Sequence, residues 1–554
     1  MQFSALPPAR HSPASSWAAI WVSGLCLWLP LYLRNTYMDL IHAKFALLTA
    51  FVLLGLLGLA ISALTDLRAF RPLPGRVSPG MLWLPAWCAS YLLAWLFSED
   101  RFASLWGLTG RRNGLALFAC CTACYLLTRL FCPAGLYQGL CRLFTGCSCL
   151  IALLGILNAW GLDPLGTYYS LLPDNGSLYL STIGNLNFFA AYLCLCLPLA
   201  VQTAFHARSG RSRAGVVLCC VVLLTGLLMA STDAAWLSLA VMLAVVFCDR
   251  RLTWHGARLL FAIGAIFCAV AFLTGIFLNF FPLRMPLRTV SAVLVKPFVC
   301  LPIGALLLFL FFISPRLKKT PCKPARLLFG GLLLLLLCGF LVRNLFGLSL
   351  GPLDSFFWLR SGWGSNRWDV WDVLVRRYAK LPLLQKLVGV GADGVDALLN
   401  PYYTQALITL NGYTFDSAHN EYLQHLLCGG LLGLVCWCGF LFTHIRSAFR
   451  RVPFLATALI GYAVQAFFSI TTPMLIVPVC LLAAFSAAPA EQQPITLDRW
   501  YFFLGSTLLF PALVVMWMPF YKTIHSPFWV PEWMVFVCYL LDSRLTACYN
   551  KTNT

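Results

Sequence analysis

Runs of about twenty apolar residues recur along this chain and constrain its fold more than any other feature. Two clear examples lie at residues 44–64 and 185–205. A helix that crosses the hydrocarbon core of a bilayer needs about 20 predominantly apolar residues. The pattern predicts an all-α, polytopic integral membrane protein with about fourteen transmembrane helices. We expect one membrane domain over residues 1–554, in which the stretch at 528–541 is either a last short span or an interfacial helix.

The charge pattern supports this class and argues against a nucleic-acid-binding protein. Only 10% of the residues are charged, and the net charge is +20, but the basic residues lie in short connections and not in long runs. Connections such as 206–214 and 249–258 are basic, whereas those at 161–182 and 471–472 contain no Lys or Arg. Basic loops remain on the cytoplasmic side. The sequence therefore predicts a cytoplasmic N-terminus.

The cysteines show no metal-ligand spacing in a polar loop, and we expect neither a metal nor a cofactor. Most of the 24 cysteines fall within apolar stretches, where free cysteine behaves as a small buried hydrophobe. We interpret them in that way, and not as disulfides or metal ligands.

One connection, residues 343–418, is far longer than the others and is predicted to lie on the extracytoplasmic side. Long loops in compact folds are usually functional or disordered, and the many Trp, Tyr and Phe residues argue against disorder. Residues 365–381 are typical of an amphipathic helix, in which Asp372 and Arg376 have i,i+4 spacing and which Pro382 ends. Its apolar face comprises Trp368, Trp371, Val375 and Tyr378. Such a helix is expected to lie along the membrane surface.

The end of this loop carries the best candidate for acid–base chemistry. In the sequence FDSAHNEYLQHLLCGGLLGL, Ser417 has the character of an N-cap and His419 falls in the predicted first turn of the next span. A histidine at that boundary can exchange protons with a substrate, or it can simply hydrogen-bond the loop. Asp416, Asn420 and Glu421 either orient the imidazole or act as ordinary residues of a helix start.

Four arginines are candidates for binding an anion on the same side of the membrane. Arg360 and Arg367 flank the sequence SGWGSN, and Arg111 and Arg112 lie in an earlier loop. The planar guanidinium group matches phosphate oxygens, so converging arginines would suit an anionic lipid head group. The alternative is that they are solvated residues at the lipid surface.

Three further features have ordinary explanations. Residues 389–394 match G-x-G-x-x-G, but no strand precedes them and nucleotides are absent from that side of the membrane, so we interpret them as a turn-rich segment. His425 is expected to be a hydrogen-bonded core histidine. Asp233, an acid at membrane depth, is either functional or an exposed cap of the following helix.

Three separated stretches together resemble the O-antigen ligase and O-antigen polymerase superfamily of bacterial membrane glycosyltransferases. They are STIGNLNFFAAYL (181–193), RSGWGSNRWDVWDVLVRRYAKLPLLQKLVGVGADGV (360–395) and HNEYLQHLLCGGLLGL (419–434). They occur in the order of the family, and the resemblance extends over about 98–485, with the last stretch as its most specific part.

The resemblance implies a helical fold of the bacterial cytoplasmic (inner) membrane, with a large outer loop that closes over a lipid-linked sugar. The implied activity is transfer of a glycan from undecaprenyl diphosphate to a hydroxyl of a saccharide or lipid-linked acceptor, without a nucleotide sugar or metal. His419 matches the loop-end histidine of the family, and Arg367 matches its arginine ahead of the surface helix.

The chain departs from the family pattern at Asp233. Relatives commonly have Ser-Arg after the seventh span, where this chain has Ser231, Thr232 and Asp233. The departure leaves diphosphate binding to Arg360, Arg111 and Arg112, and it leaves ligase and polymerase activity as alternatives. A function of another class, a carrier or flippase of lipid-linked glycans without catalytic activity, would need a similar basic and aromatic surface.

Overall fold

A computed structural model describes residues 13–34, 36–37, 39–65, 78–107, 110–168, 178–317, 323–399, 405, 408 and 415–486. Within these ranges the chain forms helices and one two-stranded hairpin. The first helices are α1 (Pro13–Leu31), α2 (Leu40–Thr65), α3 (Trp83–Leu96), α4 (Arg101–Trp106), α5 (Leu115–Phe131), α6 (Leu136–Ala159), α7 (Leu186–Phe205), α8 (Gly210–Ala230), α9 (Asp233–Cys248) and α10 (Trp254–Phe277). The hairpin, which precedes α7, pairs β1 (Tyr179–Leu180) with β2 (Gly184–Asn185) in antiparallel register, Tyr179 opposite Asn185.

The second half of the described chain is also helical. Its helices are α11 (Thr289–Leu294), α12 (Pro297–Leu317), α13 (Lys323–Leu345), α14 (Asp354–Phe357), α15 (Trp363–Lys380), α16 (Leu383–Val388), α17 (Val395–Leu398), α18 (Glu421–Cys428), α19 (Gly430–Arg451), α20 (Pro453–Ala466) and α21 (Pro473–Ala483). Short 3-10 turns lie at Pro79–Leu82 and Gly351–Leu353. The prediction of an all-α fold is confirmed, whereas the stretch at 528–541 lies outside the described residues.

The helix lengths identify a multi-pass membrane protein. Among the described residues, nine helices are long and apolar enough to span a bilayer: α1, α2, α6, α7, α8, α10, α12, α13 and α19. Four shorter apolar helices accompany them: α5, α9, α20 and α21. The predicted count of about fourteen is therefore not confirmed. Large apolar side chains such as Phe309 and Leu335 are 60% and 70% exposed, as expected of a surface that faces lipid rather than water.

The core of the bundle lies around α7. Nearly every side chain of this helix is buried, and it packs against α6, α8, α9 and α20. A helix that is apolar on all sides belongs at the centre of a fold. The thiols of Cys194 and Cys196 are completely buried here, and the described cysteines are free thiols that are mostly buried. The prediction that cysteine serves as a small core residue is confirmed for these positions.

The described residues between α13 and α18, within 346–420, form α14, α15, α16 and α17. We call the end of the bundle at which they lie the loop end. The predicted surface helix is present as α15, and the Arg376 Nε donates to Asp372 Oδ1 over 3.0 Å. Trp371, however, is buried and packs against Phe467 and Phe468 at centroid distances of 5.4 and 6.4 Å. The sequence assigned this face to the membrane surface, whereas Trp371 belongs to the protein core because the turn after α20 covers it.

The apolar stretch predicted as one span beyond residue 420 is divided into α18 and α19. The division falls at Gly429 and Gly430, and Gly430 has a φ of +65°. The loop segment that begins at Gly389 fills the break: the amides of Val390 and Gly391 donate to the carbonyls of Leu427 and Cys428, both over 3.1 Å. These bonds satisfy carbonyl groups that the end of a helix leaves without partners.

Glycine is required where the two segments meet. A Cβ atom on Gly389, whose φ is +93°, would overlap the carbonyl group of Cys428, and one on Gly430 would overlap the carbonyl of Leu387. The turn-rich interpretation of residues 389–394 is therefore confirmed, and its glycines allow one backbone to approach another.

Candidate active site

His419 lies in a sharp turn just ahead of α18. Its φ is +47°, a left-handed conformation that non-glycine residues seldom adopt. Its ring meets that of Phe415 edge to face at 5.9 Å. The prediction that His419 begins the helix, with Ser417 as its cap, is wrong: Asn420 is the cap, and its Oδ1 accepts from the amide of Leu423 over 3.1 Å.

The backbone of Ala418, immediately before His419, is held from two sides. Its amide donates to Gln424 Oε1 over 2.9 Å, and its carbonyl accepts from Trp371 Nε1 over 2.8 Å. Ala418 is completely buried, so water does not compete for these groups. We call this arrangement the Ala418 clamp. Reasoning from sequence missed Gln424, since a glutamine in the second turn of a helix carries no distinguishing signal.

Arg111 and Asp416 join two distant loops at the loop end. The Arg111 Nε donates to Asp416 Oδ2 over 2.8 Å, and its Nη2 donates to Asp416 Oδ1. Burial raises the pKa of Asp416, but the hydrogen bonds and charge of Arg111 outweigh this and hold it below its ordinary value. The carboxylate is consequently charged at neutral pH and fixes the guanidinium group next to the turn that carries His419.

Arg367 approaches the same turn from α15. Its Nη1 donates to the carbonyl of Gly364 in the first turn of that helix over 2.8 Å. The pKa of His419 is lowered to about 3, first by burial and then by the positive charges of Arg111 and Arg367, with Asp416 acting in the opposite direction. We call these four residues the His419 cluster. Its imidazole is neutral at neutral pH and lies in the field of two guanidinium groups.

Two of the predicted arginines contact other side chains. Arg112 is only 3% exposed, and its Nη2 donates to His42 Nδ1 over 2.7 Å. Arg360 is exposed, with its guanidinium 5.1 Å from the ring of Trp358.

Glu421 and His425 face the core of the bundle. Glu421 is buried, and its Oε2 accepts from the hydroxyl of Tyr462 over 2.5 Å. His425 Nδ1 is hydrogen-bonded to the hydroxyl of Tyr91 over 2.7 Å. His425 is therefore a core histidine, as predicted, and Glu421 is directed to α20 instead of orienting the imidazole of His419.

The carboxylate of Asp233 lies at the start of α9. Thr232 is the residue before this helix, and Asp233, in its first turn, accepts a hydrogen bond from the hydroxyl of Thr289. Asp233 is exposed, and a negative charge in the first turn complements the helix dipole. Nearby, Ser231 Oγ accepts from the amide of Arg288 over 2.6 Å. These contacts favour the helix-start interpretation of Asp233.

Comparison with known proteins shows that part of this chain is similar to a known family. Residues 296–438 match the family model described as O-antigen ligase. The chain is similar to the O-antigen ligase superfamily. The match confirms the resemblance to this superfamily over residues 296–438. It contains Arg367, Asp416, His419 and the three residues of the Ala418 clamp, whereas Arg111 lies outside it. No curated protein matches the chain.

The O-antigen ligase match and the apolar helices support a coarse statement of function. The protein is a multi-pass membrane protein. Part of it is similar to O-antigen ligase, an enzyme of cell-surface polysaccharide biosynthesis. This similarity indicates an activity of the membrane glycosyltransferase type. The matched segment runs from the start of α12 into α19 and includes the long loop.

Proposed function

We propose that the protein transfers a glycan from undecaprenyl diphosphate to an acceptor hydroxyl at the loop end of the bundle, on the outer face of the bacterial cytoplasmic membrane. One observation carries the proposal. A neutral imidazole, His419, lies in the field of two guanidinium groups, Arg111 and Arg367, within or beside the segment that matches O-antigen ligase. A base next to fixed cations suits a reaction that removes one proton and releases a diphosphate.

The proposed step forms one glycosidic bond and breaks one bond to phosphate. The oxygen of the acceptor hydroxyl attacks the anomeric carbon, and the bond between that carbon and the diphosphate breaks, with its electrons leaving on the diphosphate. His419 takes the hydroxyl proton, a contribution that is typically on the order of a hundredfold or more. The products are the lengthened glycan and undecaprenyl diphosphate.

Arg111 and Arg367 stabilise the negative charge that grows on the leaving diphosphate. Fixed donors at a site shielded from water do this well, because they need no rearrangement during the reaction. Asp416 occupies the Nε and one Nη of Arg111, and a guanidinium group has five N–H donors. Arg111 is thus held in orientation while its other donors remain able to reach a phosphate oxygen.

The two arginines also couple the base to the donor. Burial, and after it the positive charges of these arginines, make the imidazole of His419 bind a proton poorly, with a pKa of about 3. A diphosphate between the guanidinium groups adds negative charge nearby, which favours the imidazolium and raises the pKa. His419 would therefore become an effective base only when the lipid-linked donor is bound.

The experiment that tests this proposal supplies the purified protein in liposomes with an undecaprenyl-diphosphate-linked oligosaccharide. A ladder of longer lipid-linked chains identifies a polymerase, and transfer to a second acceptor identifies a ligase. Movement of the lipid-linked glycan across the bilayer without a new glycosidic bond would overturn the proposal and favour the carrier or flippase.

A further inference from the structure

The conformation of His419 needs an explanation, because the left-handed region is unfavourable for a residue with a Cβ atom. His419 has a φ of +47°, and it is followed by the β-region residue Asn420, whose φ is −154°. Such backbone conformations persist when surrounding contacts hold them in place, and they are enriched at functional sites. The contacts that hold this turn are therefore informative about how the imidazole is oriented.

The Ala418 clamp supplies those contacts. The amide and the carbonyl of Ala418 are each bonded to a side chain, Gln424 from α18 and Trp371 from α15. Fixing both groups fixes the planes of the peptides on either side of Ala418, and one of these is the peptide that leads into His419.

The ring of Trp371 is itself rigidly held. It lies among three aromatic rings: Trp363 at 6.0 Å, Phe467 at 5.4 Å and Phe468 at 6.4 Å. These edge-to-face and tilted contacts determine the plane of the indole and hence the direction of its N–H group. Packing against these rings does not require an N–H donor. An indole places a donor on a buried carbonyl that would otherwise be unsatisfied.

We propose that Trp371 and Gln424 are positioning residues for His419: through the Ala418 clamp they hold the turn in its left-handed conformation, so that the imidazole is directed into the His419 cluster. The proposal rests on the proposed glycan transfer, in which His419 is the base. It also makes docking of α15 a condition for an assembled site, because α15 carries both Trp371 and Arg367.

Among the described residues, the charges that act on the imidazole come from three parts of the chain. Arg111 lies between α4 and α5, Arg367 lies on α15, and Asp416 lies in the turn itself. Another acid close to the turn in the sequence, Glu421 on α18, accepts a hydrogen bond from Tyr462 instead. A change in the direction of the imidazole therefore changes its distance from these cations and its ability to bind a proton.

The test follows the protonation of His419 directly. The full chain, wild type or Trp371→Phe, is placed in lipid nanodiscs and treated with diethyl pyrocarbonate, which modifies neutral imidazole, and the modification of His419 is measured by mass spectrometry against pH. The substitution keeps an aromatic ring against Phe467 and Phe468 but removes the N–H donor. Trp368→Phe on the same helix is the matched control.

We expect His419 of the wild type and of Trp368→Phe to be modified at a rate that does not fall between about pH 7 and pH 5. In Trp371→Phe the released turn should expose the imidazole to water and move it away from the two guanidinium groups, which removes both causes of its lowered pKa. The rate should then fall over that range, as for an imidazole with an ordinary pKa of about 6.5. Where transfer is measured, kcat should fall about tenfold to a hundredfold with KM for the donor unchanged, since misplacement of a reacting group has effects of that size.

Identical modification profiles for Trp371→Phe and the wild type would overturn the proposal. A shifted profile in a protein whose wild type transfers no glycan would refute the proposed function and still establish the Ala418 clamp. The modification readout therefore separates a failure of the positioning role from a failure of the reaction.

Discussion

Arg111 and Asp416 form a two-bond ion pair although 305 residues separate them in the chain, and the Nε to Oδ2 distance is 2.8 Å. The pair joins the loop between α4 and α5 to the turn that carries His419. Arg111 lies outside the segment that matches O-antigen ligase, and Asp416 lies inside it. The cluster thus unites the matched segment with the first third of the chain.

The rate of glycan transfer is predicted to depend on the planar guanidinium group of Arg111 as well as on its charge. Arg111→Lys keeps the charge but cannot make both bonds to Asp416 and also present a fork to a diphosphate. We expect transfer to fall on the order of tenfold or more, a loss equivalent to about 1.4 kcal/mol. Initial rates with a lipid-linked donor in liposomes measure this. Arg101→Lys, at the exposed start of α4, is the control, and equal rates for the two variants would contradict the role of Arg111.

The pH below which activity falls is predicted to differ between kcat and kcat/KM. The profile of kcat/KM reports the free enzyme and that of kcat reports the enzyme with its donor bound. In the free enzyme, burial, Arg111 and Arg367 lower the pKa of His419 to about 3, whereas a bound diphosphate raises it. The acid limb of kcat should therefore lie at higher pH than that of kcat/KM. Coincident limbs would contradict coupling between donor and base.

The lowered pKa of His419 also makes the free energy of unfolding depend on pH. Because the pKa of His419 is lower in the folded protein than its ordinary value of about 6.5, folding disfavours its protonation. The corresponding stability is present above about pH 6.5 and is lost as the pH falls below that value.

Substitutions of His419 should separate its chemistry from its backbone conformation. Asparagine tolerates the left-handed region, whereas β-branched residues do not. We expect His419→Asn and His419→Val to be inactive alike, with only His419→Val less stable, by about 1–2 kcal/mol. Thermal unfolding in detergent measures the difference. Equal loss of stability in both variants would mean that the left-handed turn is not maintained.

The contact between residues 389–391 and the break in the helix is predicted to tolerate no side chain at Gly389. Alanine there would overlap the carbonyl group of Cys428 and would need a φ of +93°, so we expect a loss of at least about 2 kcal/mol in the free energy of unfolding. Gly330→Ala on α13, which meets open space, is the control and should cause no such loss. Similar unfolding curves for the two variants would contradict this account of the break.

Much of the architecture follows from patterns that are local in the sequence. Apolar length predicts the membrane class, and the i,i+4 pair of Asp372 and Arg376 marks α15 to within two residues at its start. Residue type and position make His419 a candidate base and Arg367 a candidate for binding an anion. The structure brings both into one cluster with Arg111 and Asp416.

What the sequence could not supply depends on contacts between distant segments or on a choice between equivalent local signals. Ser417 and Asn420 are both good caps, and only the packed turn selects Asn420. The break between α18 and α19 at Gly429 cannot be recognised in the sequence, because the apolar run continues through it. The burial of Trp371 requires Phe467 and Phe468 in the turn after α20, which lie almost a hundred residues further along the chain.

The central claim, that His419 and Arg367 carry out glycan transfer, is tested most directly by measuring new glycosidic bonds formed by single variants in liposomes. His419→Ala and Arg367→Ala should abolish transfer from an undecaprenyl-diphosphate-linked oligosaccharide while both proteins remain folded in the membrane. His255→Ala, which changes an exposed histidine at the start of α10, should retain the rate of the wild type. Undiminished transfer by a folded His419→Ala protein would contradict the account.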